Sequence, residues 1–168
     1  MAYEQHIQDA GPDVARCAVI TLSDTRTQAT DKSGSRIRQL LTDAGHRVEA
    51  YRIIPDDPMT FDERLAEFLA SESIDAILTN GGTGVSRRDC TIEVLERHIE
   101  QHLPGFGELF RSLSWEQIGS GAMLSRAVGG IARGKLIFAM PGSTKAVELA
   151  MSRLILPEIR HLLHELRK

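Results

Sequence analysis

Cys17-Ala-Val-Ile-Thr-Leu22 is a continuous apolar, β-branched run, and that continuity constrains the fold more than any other feature of the chain. A strand with one face in water alternates apolar and polar side chains, whereas an unbroken run needs cover on both faces. Ala76–Thr79 repeats the pattern, and Arg47–Ile54 reads as a strand stopped by Pro55-Asp-Asp-Pro58. Between these runs the apolar residues take helical spacing. Ile37, Leu40, Leu41 and Ala44 form one stripe, with Gly45 as its expected C′ residue. Thr60 with Glu63 has the form of a capping box ahead of Phe61, Leu65, Phe68 and Leu69. Thr91–Leu103 reads as a further helix with Ile92, Leu95 and Ile99 on one side.

The second half continues the alternation. Phe106, Leu109, Phe110 and Leu113 align after Pro104-Gly105, and Arg126–Ala132 and Leu136–Met140 flank Arg133-Gly134-Lys135, a tight hairpin. Ala146, Leu149, Ala150 and Leu154 make a helix that Pro157 should break or restart, and Ile159, Leu162, Leu163 and Leu166 close the chain. Strands alternating with helices predict a three-layer α/β/α fold, with a mostly parallel sheet to which the late hairpin adds one antiparallel strand.

At 168 residues this is one domain, expected over residues 15–168 behind an aperiodic, flexible arm at 1–14. The net charge of -3 gives no reason to expect a nucleic-acid partner, which calls for a basic patch. The opening residues have neither a basic n-region nor an apolar h-region, so no signal peptide is expected, and no apolar run approaches the length of a membrane span. Cys17 and Cys90 are expected as free thiols in a reducing cytoplasm. His98/His102 and His161/His164 have helical spacing but read as solvated surface.

In an open parallel sheet, ligands bind outside the carboxyl ends of the strands. Four segments leave such ends here: Ser23-Asp24, Pro55-Asp56, the loop Asn80-Gly81-Gly82-Thr83-Gly84 running on to Asp89, and Pro141-Gly142-Ser143. Three glycines in four residues let backbone N–H groups approach an anion, and a helix follows. The loop lacks the Gly-Lys-Ser/Thr ending of a Walker A motif and the spacing of a dinucleotide fingerprint. No Gly-x-Ser-x-Gly or His-Glu-x-x-His occurs, so serine-nucleophile and zinc hydrolase readings lack support. Local alternatives stay open: Asp89 caps the next helix or serves a ligand, Asp56 makes a turn or holds a cation, and Ser143 caps a helix or binds an anion. A carboxylate beside polyphosphate fits when Mg²⁺ stands between them.

Asn80-Gly-Gly-Thr-Gly-Val-Ser-Arg-Arg-Asp-Cys-Thr91 followed by Met140-Pro-Gly-Ser-Thr-Lys-Ala146 resembles the MoaB/MogA family of molybdenum cofactor biosynthesis, closer to the MoaB branch. Leu22-Ser-Asp24, Asp31-Lys-Ser-Gly34, Gly105–Arg111 and Leu124-Ser-Arg-Ala127 extend the resemblance over about Arg16 to Arg160. It implies a molybdopterin adenylyltransferase that joins molybdopterin to ATP with Mg²⁺ and releases pyrophosphate. By the same resemblance, Asp56 and Asp89 are the catalytic carboxylates that organise Mg²⁺. Ser23, Asp24, Asn80, Gly81, Gly82, Thr83, Gly84, Pro141, Gly142 and Ser143 would line the molybdopterin and nucleotide site. The resemblance further implies a homotrimer or homohexamer, for which Phe106, Phe110, Trp115, Leu162, Leu163 and Leu166 offer apolar surface, and a downstream molybdenum-insertion enzyme. A non-catalytic molybdopterin carrier of the same branch is the alternative function.

Overall fold

The computed structural model describes residues 14–168, so the expected arm lies outside the described residues except for Val14. A six-stranded sheet runs through the middle in the order β2-β1-β3-β6-β5-β4. Its strands are β1 (Arg16–Leu22), β2 (Arg47–Ile54), β3 (Ala76–Asn80), β4 (Gln101–His102), β5 (Val128–Ala132) and β6 (Lys135–Met140). The helices are α1 (Lys32–Asp43), α2 (Pro58–Ala70), α3 (Thr91–Glu96), α4 (Pro104–Ile118), α5 (Thr144–Ala150) and α6 (Leu156–Leu166). β2, β1, β3 and β6 pair in parallel. β5 is antiparallel to both its neighbours.

The unbroken apolar strands are explained by two cores, one on each face. Cys17, Val19 and Leu78 point into a cluster with Ile37 and Leu41 of α1, Phe110 of α4, Val147 of α5 and Ile159 of α6. Ala18, Ile20 and Ile77 point the other way, onto Phe61, Leu65 and Phe68 of α2 and Leu95 of α3. This is the three-layer arrangement expected from the sequence. Cys17 and Cys90 are both buried and free.

The hairpin forms as predicted, one residue tighter. Arg133 (φ 48°) and Gly134 (φ 71°) are both left-handed, as a two-residue I′ turn requires, and Lys135 already belongs to β6. Gly45 (φ 83°) ends α1 as expected, with His46 N–H donating to the Leu41 carbonyl at 2.9 Å. Two expectations need correction. The cap of α2 is Asp57, whose carboxylate accepts from Thr60 N–H at 2.7 Å, because Pro58 suits the first helical turn and starts the helix earlier than the Thr60/Glu63 pattern implied. The helix expected over Thr91–Leu103 stops at Glu96, and Gln101–His102 pair with β5 as an edge strand, so His98 and His102 do not share a helix. As expected, the helix restarts at Pro157: α5 gives way to a π-helical turn at Met151–Ile155, and α6 begins at Leu156 with Pro157 in its first turn.

Of the residues expected to supply apolar surface, Phe106, Phe110 and Leu163 are core, while Trp115 is 63% exposed. No helix among the described residues is long and apolar enough to cross a membrane.

His46 is a buried histidine that the surface reading of the other pairs does not cover. It is 5% exposed, and its Nδ1 accepts the Ala15 N–H at 3.1 Å, which requires that nitrogen to be unprotonated. Burial, and then the nearby Arg160 cation, push its pKa below the ordinary value of 6.5. A base whose pKa is depressed on folding is protonated first in the unfolded chain, so its contribution is present above about pH 6.5 and fades as pH falls below it. Melting curves across that range should show wild type losing more stability on acidification than His46→Gln, whose amide oxygen can accept the same bond without titrating. Parallel losses in the two proteins would refute the role of His46.

Candidate functional site

The parallel strands β2, β1, β3 and β6 carry all four predicted loops to one rim of the sheet. The chain leaves β1 for β2 on one side and then crosses back to β3 on the other, so the β1/β3 boundary is the topological switch point. Ser23-Asp24 and the glycine loop flank that boundary.

The glycine loop is shaped by what it touches. Gly81 (φ 95°) and Gly82 (φ 61°) are left-handed, and a Cβ on Gly81 would lie 2.3 Å from the Leu22 carbonyl oxygen. A Cβ on Gly82 would meet Thr91 Oγ1 at 2.4 Å and Asp56 Oδ1 at 3.0 Å, so the Asp56 carboxylate lies directly against this glycine. Thr91 Oγ1 donates to the Gly81 carbonyl at 2.9 Å, and Thr91 N–H donates to the Gly82 carbonyl at 3.1 Å, folding the loop back onto α3. The N–H groups of Gly82, Thr83 and Gly84 find no acceptor among the described residues. Backbone donors left free in this way are the groups that bind anions at glycine-rich loops.

Asp56, Asp24 and Asp89 face this patch. Asp56 N–H donates to Asp24 Oδ1 at 3.1 Å, joining the β2 and β1 loops. Asp56 Oδ1 is buried and has no hydrogen-bond partner. Its pKa is raised, first by burial and then by the negative charges of Asp24 and Asp89, against the opposing pull of Arg88 and Arg26. Asp89 does not cap α3; its Oδ2 accepts from Ser86 N–H at 2.7 Å, and its carboxylate covers Gly84. Arg88 pairs with Asp24 across the mouth of the cleft at 2.6 Å.

Other predicted residues serve the frame. Both ends of the Asn80 amide are used internally: Nδ2 donates to Thr21 Oγ1 at 2.9 Å, and Oδ1 accepts from Ser33 Oγ at 2.8 Å. Ser23 Oγ accepts from the Arg26 N–H at 3.2 Å and so shapes its own turn. Ser143 caps α5 by accepting from Ala146 N–H at 3.2 Å. Pro141 and Gly142 sit beside the glycine loop, where a Cβ on Gly142 would be 3.2 Å from Gly81 Cα. The structure thus gathers every predicted site residue on one rim, with Asn80 beneath it.

Sequence reasoning assigned no individual role to Arg26, Asp31, Ser33 or Arg126. Arg26 Nη2 donates to the Gly142 carbonyl at 2.8 Å while Nη1 donates to Ser33 Oγ at 2.5 Å, tying the Pro-Gly-Ser loop to α1. Asp31 is 2% exposed. Burial alone would raise its pKa, but bonds from Thr21, Tyr51, the Gly34 N–H and Ser33 outweigh that and hold it low. Tyr51 OH donates to it at 2.5 Å, and burial followed by this partner lifts the Tyr51 pKa to about 12. Asp31 and Ser33, like Arg126, belong to motifs that the resemblance singled out, whereas Arg26 and Tyr51 lie outside them, and only the fold shows what each grips.

Carboxylates are hard oxygen ligands that suit Mg²⁺, and an orphaned buried Asp56 oxygen fits a cation. Among the described residues no three His, Cys, Asp or Glu side chains form a ready-made metal cage. Asp56 and Asp89 both bring a carboxylate to the glycine loop, and oxygen donors of this kind are the chemistry a hard cation takes.

Known proteins share this architecture. A family model described as a probable molybdopterin binding domain matches residues 18–161. Molybdenum cofactor biosynthesis protein B of Bacillus cereus is 47% identical over 169 residues, covering 100% of this chain and 99% of that protein. The protein of the same name from Halalkalibacterium halodurans is 49% identical with the same coverage. A crystal structure of a molybdenum cofactor biosynthesis protein B superposes with a TM-score of 0.91 at 49% identity, covering 94% of this chain and 98% of that one. The tungsten cofactor synthesizing protein MoaB of Pyrococcus furiosus gives 0.84 at 37% identity, with 94% and 100% covered. With the motifs, the sheet order and these relatives in agreement, the chain belongs to the MoaB/MogA family of molybdenum cofactor biosynthesis proteins, on its MoaB branch.

Proposed function

We propose that this protein adenylylates molybdopterin, using ATP and Mg²⁺ and releasing pyrophosphate. The observation that carries this reading is Asp56: a buried, partnerless carboxylate oxygen pressed against a glycine loop whose N–H groups find no acceptor among the described residues. An isolated carboxylate would repel phosphate, and a phosphate cradle alone would not need one. Together they suit a metal-bound polyphosphate.

In the proposed reaction a terminal phosphate oxygen of molybdopterin bonds to the α-phosphorus of ATP as the bond to the bridging oxygen breaks, and that oxygen leaves on pyrophosphate. Bound Mg²⁺ would neutralise charge on the phosphates. The chain's residues position and shield: Gly82, Thr83 and Gly84 offer N–H groups, Pro141, Gly142 and Ser143 border the second ligand, and Asp56 and Asp89 fix the cation. Such placement supplies most of the rate in phosphoryl and nucleotidyl transfer. Incubation with molybdopterin, Mg²⁺ and ATP should give an AMP ester of the pterin and one pyrophosphate per product. Tight pterin binding with no pyrophosphate would instead establish the carrier function.

We also propose self-association through α4 and the 3₁₀ turn that follows it at Gly119–Leu124. Trp115, Ile118, Met123 and Leu124 are 63%, 60%, 79% and 54% exposed, an apolar concentration that solvent-facing helices seldom carry. Trp115→Glu should convert a trimer or hexamer into a smaller species by light scattering. An unchanged mass would place the interface elsewhere. The MoaB-branch reading further suggests that the product passes to a molybdenum-insertion enzyme in the cytoplasm.

A further inference from the structure

The loop that carries Asp89 is exposed at its tip, with Val85 70% exposed, yet both of its roots are held by one side chain from elsewhere in the chain. Arg126 precedes β5 by two residues, next to the buried Ala127. Its Nε donates to the Thr83 carbonyl at 3.1 Å and its Nη2 to the Asp89 carbonyl at 3.3 Å. Its Nη1 bonds Glu93 on the first turn of α3. This pairing holds the Glu93 pKa below its ordinary value, the hydrogen bond from Arg126 being the largest cause.

We propose that Arg126 is a positioning residue that sets the Asp89 carboxylate by clamping the two ends of the Thr83–Asp89 segment. The proposal rests on the adenylylation reading for its effect on turnover, and on the geometry alone for its effect on the loop. Inside the segment, Asp89 is held by the Ser86 N–H and by close contact with Gly84, so its placement follows the loop as a body. Thr91 anchors the following residue pair to Gly81 and Gly82, but among the described residues Arg126 alone bonds the Thr83 and Asp89 carbonyls. The planar fork delivers three donors in fixed directions to three acceptors, which a lysine cannot reproduce. Arg126 touches no reacting atom; it acts through Asp89.

Arg126→Gln and Arg126→Lys, compared with wild type, test the clamp by two readouts. Turnover should fall about tenfold to a hundredfold in Arg126→Gln, the scale of a displaced catalytic group, while KM for ATP stays within about threefold. Arg126→Lys should recover little of it. Amide hydrogen exchange at Ser86 and Asp89, whose N–H groups are bonded within the loop, should accelerate in both variants with the β1 and β3 amides unchanged. Turnover within about twofold of wild type, or unchanged exchange at Ser86 and Asp89, overturns the proposal. Should Arg126→Gln not fold, Arg126→Lys decides by the same two measurements. If wild type itself forms no adenylylated pterin, the adenylylation reading falls, and the exchange result alone then decides the clamp.

Discussion

Asp56→Asn should reduce adenylylation by at least about a hundredfold and at the same time raise the melting temperature at neutral pH. The two effects have one origin. Asp56 keeps a buried oxygen without a donor and faces two further carboxylates, an arrangement that costs stability and that, in the proposed reaction, serves to hold a cation. Its pKa on folding is raised, so the folded protein holds the proton more tightly than the unfolded chain does. Stability therefore declines as pH rises from the ordinary carboxylate value of 3.8 through the folded value, and the cost persists at neutrality. Asparagine preserves the shape, removes the charge and adds a donor among acceptors. Its stability advantage should shrink as the pH is lowered toward the carboxylate range, where wild type becomes protonated too. Pyrophosphate release by Asp56→Asn within threefold of wild type would remove this carboxylate from the mechanism. A lower melting temperature at neutral pH would contradict the electrostatic account.

Asp56 is only partly legible in the sequence. Its neighbours Pro55, Asp57 and Pro58 explain a turn without any ligand, and Asp57 does make the helix cap. What distinguishes Asp56 is the approach of Gly82, Asp24 and Asp89, residues from two other segments. The strands were legible because β1 beyond Arg16 and all of β3 are buried on both faces and carry no polar interruption except threonine and the terminal asparagine. Four loops at four parallel strand ends followed from that alone. The end of α3 was not legible: Ile99 continues the helical stripe of Ile92 and Leu95, but pairing of Gln101 with Ile131 diverts the chain into an edge strand. Nor could sequence assign Arg26 and Arg126 their partners. Each grips backbone carbonyls, which have no residue signature, at separations of 116 residues for Gly142 and 43 for Thr83. Long-range side-chain-to-carbonyl bonds leave no local trace.

Gly81→Ala should be among the most destabilising single substitutions in the chain, on the order of 3 kcal/mol. Two independent costs coincide there. The φ of 95° lies where side chains rarely go, and the added methyl would sit 2.3 Å from the Leu22 carbonyl oxygen, 3.3 Å from its carbon and 3.5 Å from Leu22 N. All three neighbours are backbone of β1, so no rotamer change relieves the overlap; the ends of β1 and β3 must separate. That movement would also pull the loop from Gly142, whose Cβ position lies 3.2 Å from Gly81 Cα, and would spread the two ligand loops apart. Gly105→Ala is the matched control, because nothing lies within 4 Å of its Cβ position and its place in the first turn of α4 suits alanine. Urea denaturation should show a lower midpoint with an unchanged slope for Gly81→Ala, and a neutral or slightly stabilised Gly105→Ala. Equal stabilities in the two variants would mean that the β1/β3 junction yields easily and gives the glycine loop no rigid platform.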